Sequence, residues 1–182
     1  NNIPIWSEIE LGFKYAKGGL IAITGTNGKT TTTSLVGEIM SNFAKSSFTV
    51  GNIGIPYTDI ADKTDENSVT VLETSSFQLE TIIDFRPNIS AILNITPDHL
   101  NRHHTMENYI KVKEDISKNQ TEDDFCILNY EDEALREFAD RVKAKVVFFS
   151  SRRKLEDGFY LDKDIIMQSK NGVAKEILDT KK

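Results

Sequence analysis

The chain has 182 residues, 38% hydrophobic and 27% charged, enough for one domain with its own core and ordinary for a soluble globular protein. Its net charge of -6 excludes a broad nucleic-acid-binding face, so no nucleic-acid polymer is expected as a partner. No apolar run reaches bilayer-spanning length and no secretory pattern opens the chain, so no membrane insertion is expected. The single cysteine, Cys126, cannot build a disulfide framework and sits in an apolar run, which fits a buried thiol in a reducing cytoplasm. The chain opens on Asn1 instead of Met, which fits a piece of something longer.

In chain order, Ser7 and Glu10 read as a capping box opening a short helix that ends near Gly18-Gly19. An apolar strand over 20–23 follows, then a glycine-rich turn and a long helix to about Ala44. Further strands are predicted over 48–50, 68–73, 89–93, 124–128 and 145–149, mostly separated by helical patterns. Nearly continuous apolar strands alternating with helices predict an α/β fold, a mostly parallel sheet with helices on both faces. The tail differs. Short strands over 159–161, 165–168 and 173–177, with turns at 162–163 and 170–172, predict a small antiparallel addition.

The most specific local feature is Gly25-Thr26-Asn27-Gly28-Lys29-Thr30-Thr31, between a strand and a helix. That context suits a phosphate-binding loop, with amides and a helix N-terminus facing negative charge. Lys29 would hold the β/γ-phosphates of ATP and the Thr30 hydroxyl would ligate Mg²⁺. The usual pattern has a glycine where this chain has Ile23, so the loop is a variant; a plain glycine turn is the bland alternative.

In a parallel sheet the C-terminal strand ends share one edge, where ligands bind. The segments expected there are 25–31, 51–54, 73–76 and 94–99, all rich in glycine, hydroxyl, amide, carboxylate or imidazole groups. Glu73, closing an apolar strand, is placed either to hold Mg²⁺ or to cap the next turn. His99 is open to three readings: metal ligand, phosphate contact or fold-stabilising histidine. His103 and His104 read as a solvated loop without a role.

A helix over 106–119, with Thr105 as N-cap, puts Met106, Tyr109, Ile110, Val112 and Ile116 on one face at about 100° per residue. Lys111, Glu114, Asp115 and Lys118 fall opposite, but Lys113 sits on the apolar face. It either snorkels out or is buried with a lowered pKa. A neutral amine there can take up CO₂ as a carbamate, an anionic ligand for Mg²⁺.

These residues together resemble the Mur ligases. The resemblance is carried by the phosphate loop, Gly51-Asn52-Ile53-Gly54, the segments 73–80 and 93–102, and 106–113. Within the family, Ser75-Ser76-Phe77-Gln78-Leu79-Glu80 is similar to the branch that adds D-glutamate. The resemblance implies a P-loop NTPase-like central ATP-binding domain over 1–182, truncated, with a lead-in segment over 1–17 from a missing N-terminal UDP-binding domain. The amino-acid-binding C-terminal domain and the adenine-contacting helix are also unmatched, so the fragment is expected to be inactive alone. It implies catalytic roles for Lys29, Glu73, His99 and Lys113, nucleotide contacts from Gly25 to Thr31, and metal ligation by Thr30, Glu73, His99 and carbamylated Lys113. Asn52 and Ser75 match residues near the substrate and its acyl phosphate. Asn101 departs from the family, which usually has Asp there. The implied partners are ATP, D-glutamate and UDP-N-acetylmuramoyl-L-alanine, joined through an acyl phosphate in peptidoglycan biosynthesis. A sister ligase, a folylpolyglutamate synthase, a P-loop phosphotransferase and a non-catalytic ATP-binding module are the rivals.

Overall fold

A computed structural model describes residues 3–181; residues 1, 2 and 182, at the ends of the expected lead-in segment and domain, lie outside the described residues. The strands are β1 (Gly19–Thr24), β2 (Ser46–Gly51), β3 (Ser68–Glu73), β4 (Ile89–Ile92), β5 (Phe125–Asn129), β6 (Lys145–Ser150), β7 (Gly158–Asp162), β8 (Ile165–Lys170) and β9 (Val173–Asp179). The helices are α1 (Glu8–Tyr15), α2 (Lys29–Phe43), α3 (Ser76–Leu79), α4 (Leu100–His103), α5 (Met106–Glu114) and α6 (Glu133–Ala139). None of them is long and apolar enough to cross a membrane.

All nine strands form one sheet in the order β2-β3-β1-β4-β5-β6-β7-β8-β9. Pairing is parallel from β2 through β7 and antiparallel in β7–β8–β9. The predicted antiparallel tail is present and extends the main sheet through β7. The strand order reverses at β1, which lies between β3 and β4, so a crevice opens beyond its C-terminal end.

Side-chain alternation along β1 explains how both sheet faces are covered. Leu20 and Ala22 join the larger core with Ile9 of α1, Tyr109 of α5 and Leu135 of α6. Ile21 and Ile23 face the other way and pack with Val36 and Met40 of α2. Cys126 is fully buried in the larger core, and burial pushes its thiol up to about 11, so it remains an inert packing residue.

Four local expectations are corrected, two of them, at Glu10 and Glu114, by distant partners. Ser7 caps α1 by accepting from the Glu10 N–H, but Glu10 does not complete the capping box. Its fully buried carboxylate instead accepts from the N–H groups of Ile83, Asp84 and Phe85, each at 2.9 Å. α1 also stops at Tyr15, short of the glycines. The helix after Thr105 is α only to Glu114 and tightens to a 3₁₀ turn over Asp115–Ser117. Glu114, expected on the solvent side, is buried, and Arg141, just after α6, takes both its oxygens at 2.8 and 3.1 Å.

Glu10 makes a test of how α1 is attached. Glu10→Ala leaves three amide donors of 83–85 without their acceptor and lowers stability by about 3 kcal/mol. The urea midpoint falls with little change in slope; an unmoved midpoint would contradict the latch.

Candidate active site

β1 feeds its phosphate loop directly into α2. Gly28 is the N-cap at φ +81, a left-handed conformation that L side chains rarely adopt, and it offers no side-chain cap. The first-turn amides of α2 have no intrahelical partners, so the helix start suits an anion. The loop amides divide their work differently from the expectation. Thr26 N–H donates to Asn94 O and Asn27 N–H to Asn94 Oδ1, both at 2.9 Å, so these two amides brace the loop against the segment after β4. Lys29 curls back, its Nζ 3.0 Å from the carbonyl oxygens of Gly25 and Thr26. Thr30 and Thr31 are exposed on the first turn of α2.

β3 delivers Glu73 beside the loop, in register with Ile23 of β1. The carboxylate is 2% exposed. Its Oε1 accepts from Asn52 Nδ2 at 2.9 Å, and its Oε2 is buried with no partner. Gly51 lets the chain turn here: its φ is +109, and a Cβ would sit 2.3 Å from Glu73 O. Ser75 caps α3 in a complete capping box with Gln78.

His99 is the left-handed N-cap of α4, at φ 51. Its side chain is 48% exposed, with Nε2 3.4 Å from Asp98 Oδ2 and its ring 4.9 Å from Phe77. Lys113 is buried at 2% exposure, so it does not snorkel. Its Nζ donates to Gly25 O at 2.9 Å and lies over the Tyr109 ring at 4.9 Å. Burial, then the Lys29 charge, lowers its pKa from 10.5 to about 7, against a weaker pull upward from Asp98.

A cavity of about 130 Å³ gathers five of the expected residues: Lys29, Asn52, Ser75, His99 and Lys113. Glu73 joins this group through its bond to Asn52. Asp98, Tyr109, Ser76 and Phe77, given no role from the sequence, line the same space. His103 is a correction. It is 4% exposed and sits behind the cavity wall, not in a solvated loop; His104 is exposed. A larger cavity of about 640 Å³ lies between α5 and α6, but its acids and bases are mixed and it contains none of the expected residues.

Among the described residues, no three His, Cys, Asp or Glu side chains converge to hold a metal on their own. The orphaned Glu73 Oε2 nevertheless fits a cation beside the phosphate loop, provided that other donors complete the shell. Thr30 and a modified Lys113 are donors of that kind and lie outside such a count.

Comparison with known proteins bears on the family and the fold. The chain matches the Mur ligase middle domain over residues 23–182. The UDP-N-acetylmuramoylalanine–D-glutamate ligase of Lachnoclostridium phytofermentans is 61% identical over 165 residues, 91% of this chain and 36% of that protein. The chain thus spans little more than a third of the curated relatives it matches, 36–39% of the first three. Among solved structures, MurF ligase from Thermotoga maritima in complex with ADP matches with a TM-score of 0.63 and 19% identity, over 93% of this chain and 42% of that one. FolC of E. coli in complex with DHPP and ADP matches with a TM-score of 0.62 and 14% identity, over 98% of this chain and 55% of that one. These two likenesses concern the fold, whereas the match over 23–182 decides the family: the chain belongs to the Mur ligase middle domain family.

Proposed function

We propose that this chain is the ATP-binding middle domain of a cytoplasmic ligase that joins D-glutamate to UDP-N-acetylmuramoyl-L-alanine during peptidoglycan biosynthesis. The observation that carries the ligase reading is Lys113, buried at 2% exposure with its amine on a phosphate-loop carbonyl. A plain nucleotide-binding module has no use for such an amine. The 61% identity to a ligase of that name supports D-glutamate as the acceptor.

In this reading the precursor carboxylate attacks the γ-phosphorus of ATP, ADP leaves, and the amine of D-glutamate then displaces phosphate from the acyl phosphate. The first step brings two anions together. Lys29 leaves its loop carbonyls for the β/γ-phosphates and offsets that repulsion. Lys113, with a pKa near 7, has a neutral fraction at physiological pH that takes up CO₂ as a carbamate. Thr30, Glu73 Oε2, His99 and that carbamate would hold Mg²⁺, which when bound neutralises phosphate charge. Asn52 and Ser75 orient the acyl end of the precursor from the cavity wall.

The test uses the full-length ligase containing this domain. Phosphate release from Mg-ATP is followed with UDP-N-acetylmuramoyl-L-alanine and a panel of amino acids. The expected result is release that depends on D-glutamate. Release with a different acceptor would keep the ligase and overturn the specificity. No release from a folded, ATP-binding protein would favour the binding module.

A further inference from the structure

We propose that His103 is a positioning residue for the ligation reaction, locking the cavity wall formed by α3 to the wall formed by α5. This role rests on the ligase reading above.

Four contacts meet on one imidazole. Nε2 lies 2.9 Å from Ser76 Oγ, at the first turn of α3. Nδ1 faces Glu80 Oε1 at 3.5 Å, just after the same helix. One ring face stacks on Phe77, with centroids 5.7 Å apart and planes 16° apart. The ring also packs against Tyr109 of α5 at 5.2 Å. Ser76, Phe77 and Tyr109 all line the cavity, but His103 does not. It therefore acts through them.

The hydrogen bonds give the ring a direction. The Glu80 carboxylate favours the proton on Nδ1, which leaves Nε2 to accept from the Ser76 hydroxyl. Glu80 is itself held by Arg102, with Nε at 3.0 Å and Nη2 at 2.6 Å. Beyond His103 the contacts continue. The Tyr109 hydroxyl lies 3.1 Å from Thr26 Oγ1 in the phosphate loop, and its ring lies under the Lys113 amine. A continuous line thus runs from α3, which carries Ser75 at its cap, to the loop that takes the phosphates. The reaction needs acyl and phosphoryl groups at one separation, and His103 is the piece between their two supports.

Two substitutions divide the contacts. His103→Phe keeps an aromatic ring for Phe77 and Tyr109 but removes both polar contacts. His103→Gln places an amide near the Nε2 position and restores a partner for Ser76. In the full-length ligase, His103→Phe is expected to lower kcat per folded site on the order of 100-fold, with the KM for ATP changed by less than about twofold. His103→Gln is expected to recover about tenfold of that loss even if its Tm is no higher. Loss of packing alone would lower Tm and the folded fraction, but not kcat per folded site.

A wild-type kcat in His103→Phe would overturn the proposal. So would kcat losses in the two variants that simply follow their Tm. If wild-type enzyme fails to turn over with every acceptor, the ligase reading falls and this proposal falls with it. An active wild type with an indifferent His103→Phe removes only the proposal.

Discussion

Lys29→Ala in the full-length ligase is expected to lower turnover on the order of a thousandfold while leaving the domain folded. The fold should survive because Lys29 bonds only to carbonyls of its own loop, while that loop is braced separately through Asn94. Turnover should not survive, because Lys29 is the only lysine of α2 and stands at its first position, where a γ-phosphate would lie. The substitution has a second effect. The charge of Lys29 helps to lower the pKa of Lys113, so its removal makes Lys113 more basic and its neutral amine scarcer. Lys29→Arg separates the two effects, since it keeps the positive charge but changes its shape. Phosphate release within tenfold of wild type in Lys29→Ala would remove Lys29 from the mechanism.

Lys113→Met is expected to move stability and activity in opposite directions. The folded chain holds the Lys113 proton more weakly than the unfolded chain, with a pKa of about 7 against 10.5. Between those values the unfolded state binds more protons, so stability rises with pH across that window. Below about pH 7 the full penalty of a buried ammonium is present. Methionine fills a similar volume without charge, so this chain should gain about 2 kcal/mol at pH 7 and lose that part of its pH dependence. Urea midpoints at pH 6.5 and 9 in wild type and variant read this directly. Turnover of the full-length ligase should meanwhile fall at least a hundredfold, because methionine cannot form a carbamate. Wild-type activity should also fall as pH drops through about 7, where the reactive neutral amine is lost. Full activity in Lys113→Met would exclude the carbamate.

What could be read from the sequence follows from how local each signal was. The phosphate loop was legible because its glycines, lysine and hydroxyls are contiguous between a strand and a helix. Lys113 was legible because the helical period set it among apolar neighbours, and its burial follows from that position. Glu10 was misread because its true partners lie 73–75 residues away, and only the assembled fold brings three amides to it. Glu114 falls on the outer side of its helix, but Arg141, 27 residues on, grips its carboxylate there. His103 was missed because Asn101, Arg102, His103 and His104 form a polar run that reads as solvated. Its burial comes from Phe77 and Tyr109, rings contributed by other elements. Apart from Lys113, on helix α5, the site residues named from sequence lie at or after the ends of β1 to β4, where topology sets the neighbourhood.

The central position of β1 also bears on the order in which the chain folds. β1 must find β3 and β4, pairing Ile23 with Glu73 and Ile21 with Ile89 across long intervening segments that carry α2 and β2. The hairpins of β7, β8 and β9 need only two-residue turns. Closing a long loop carries an entropic cost before any contact rewards it, so the tail has the faster route to structure. The phosphate loop, Glu73 and Lys113 come together only after the slow pairings. Nucleotide binding by this domain is therefore expected to report on the long-range pairings of β1, which strand signals from the tail do not report.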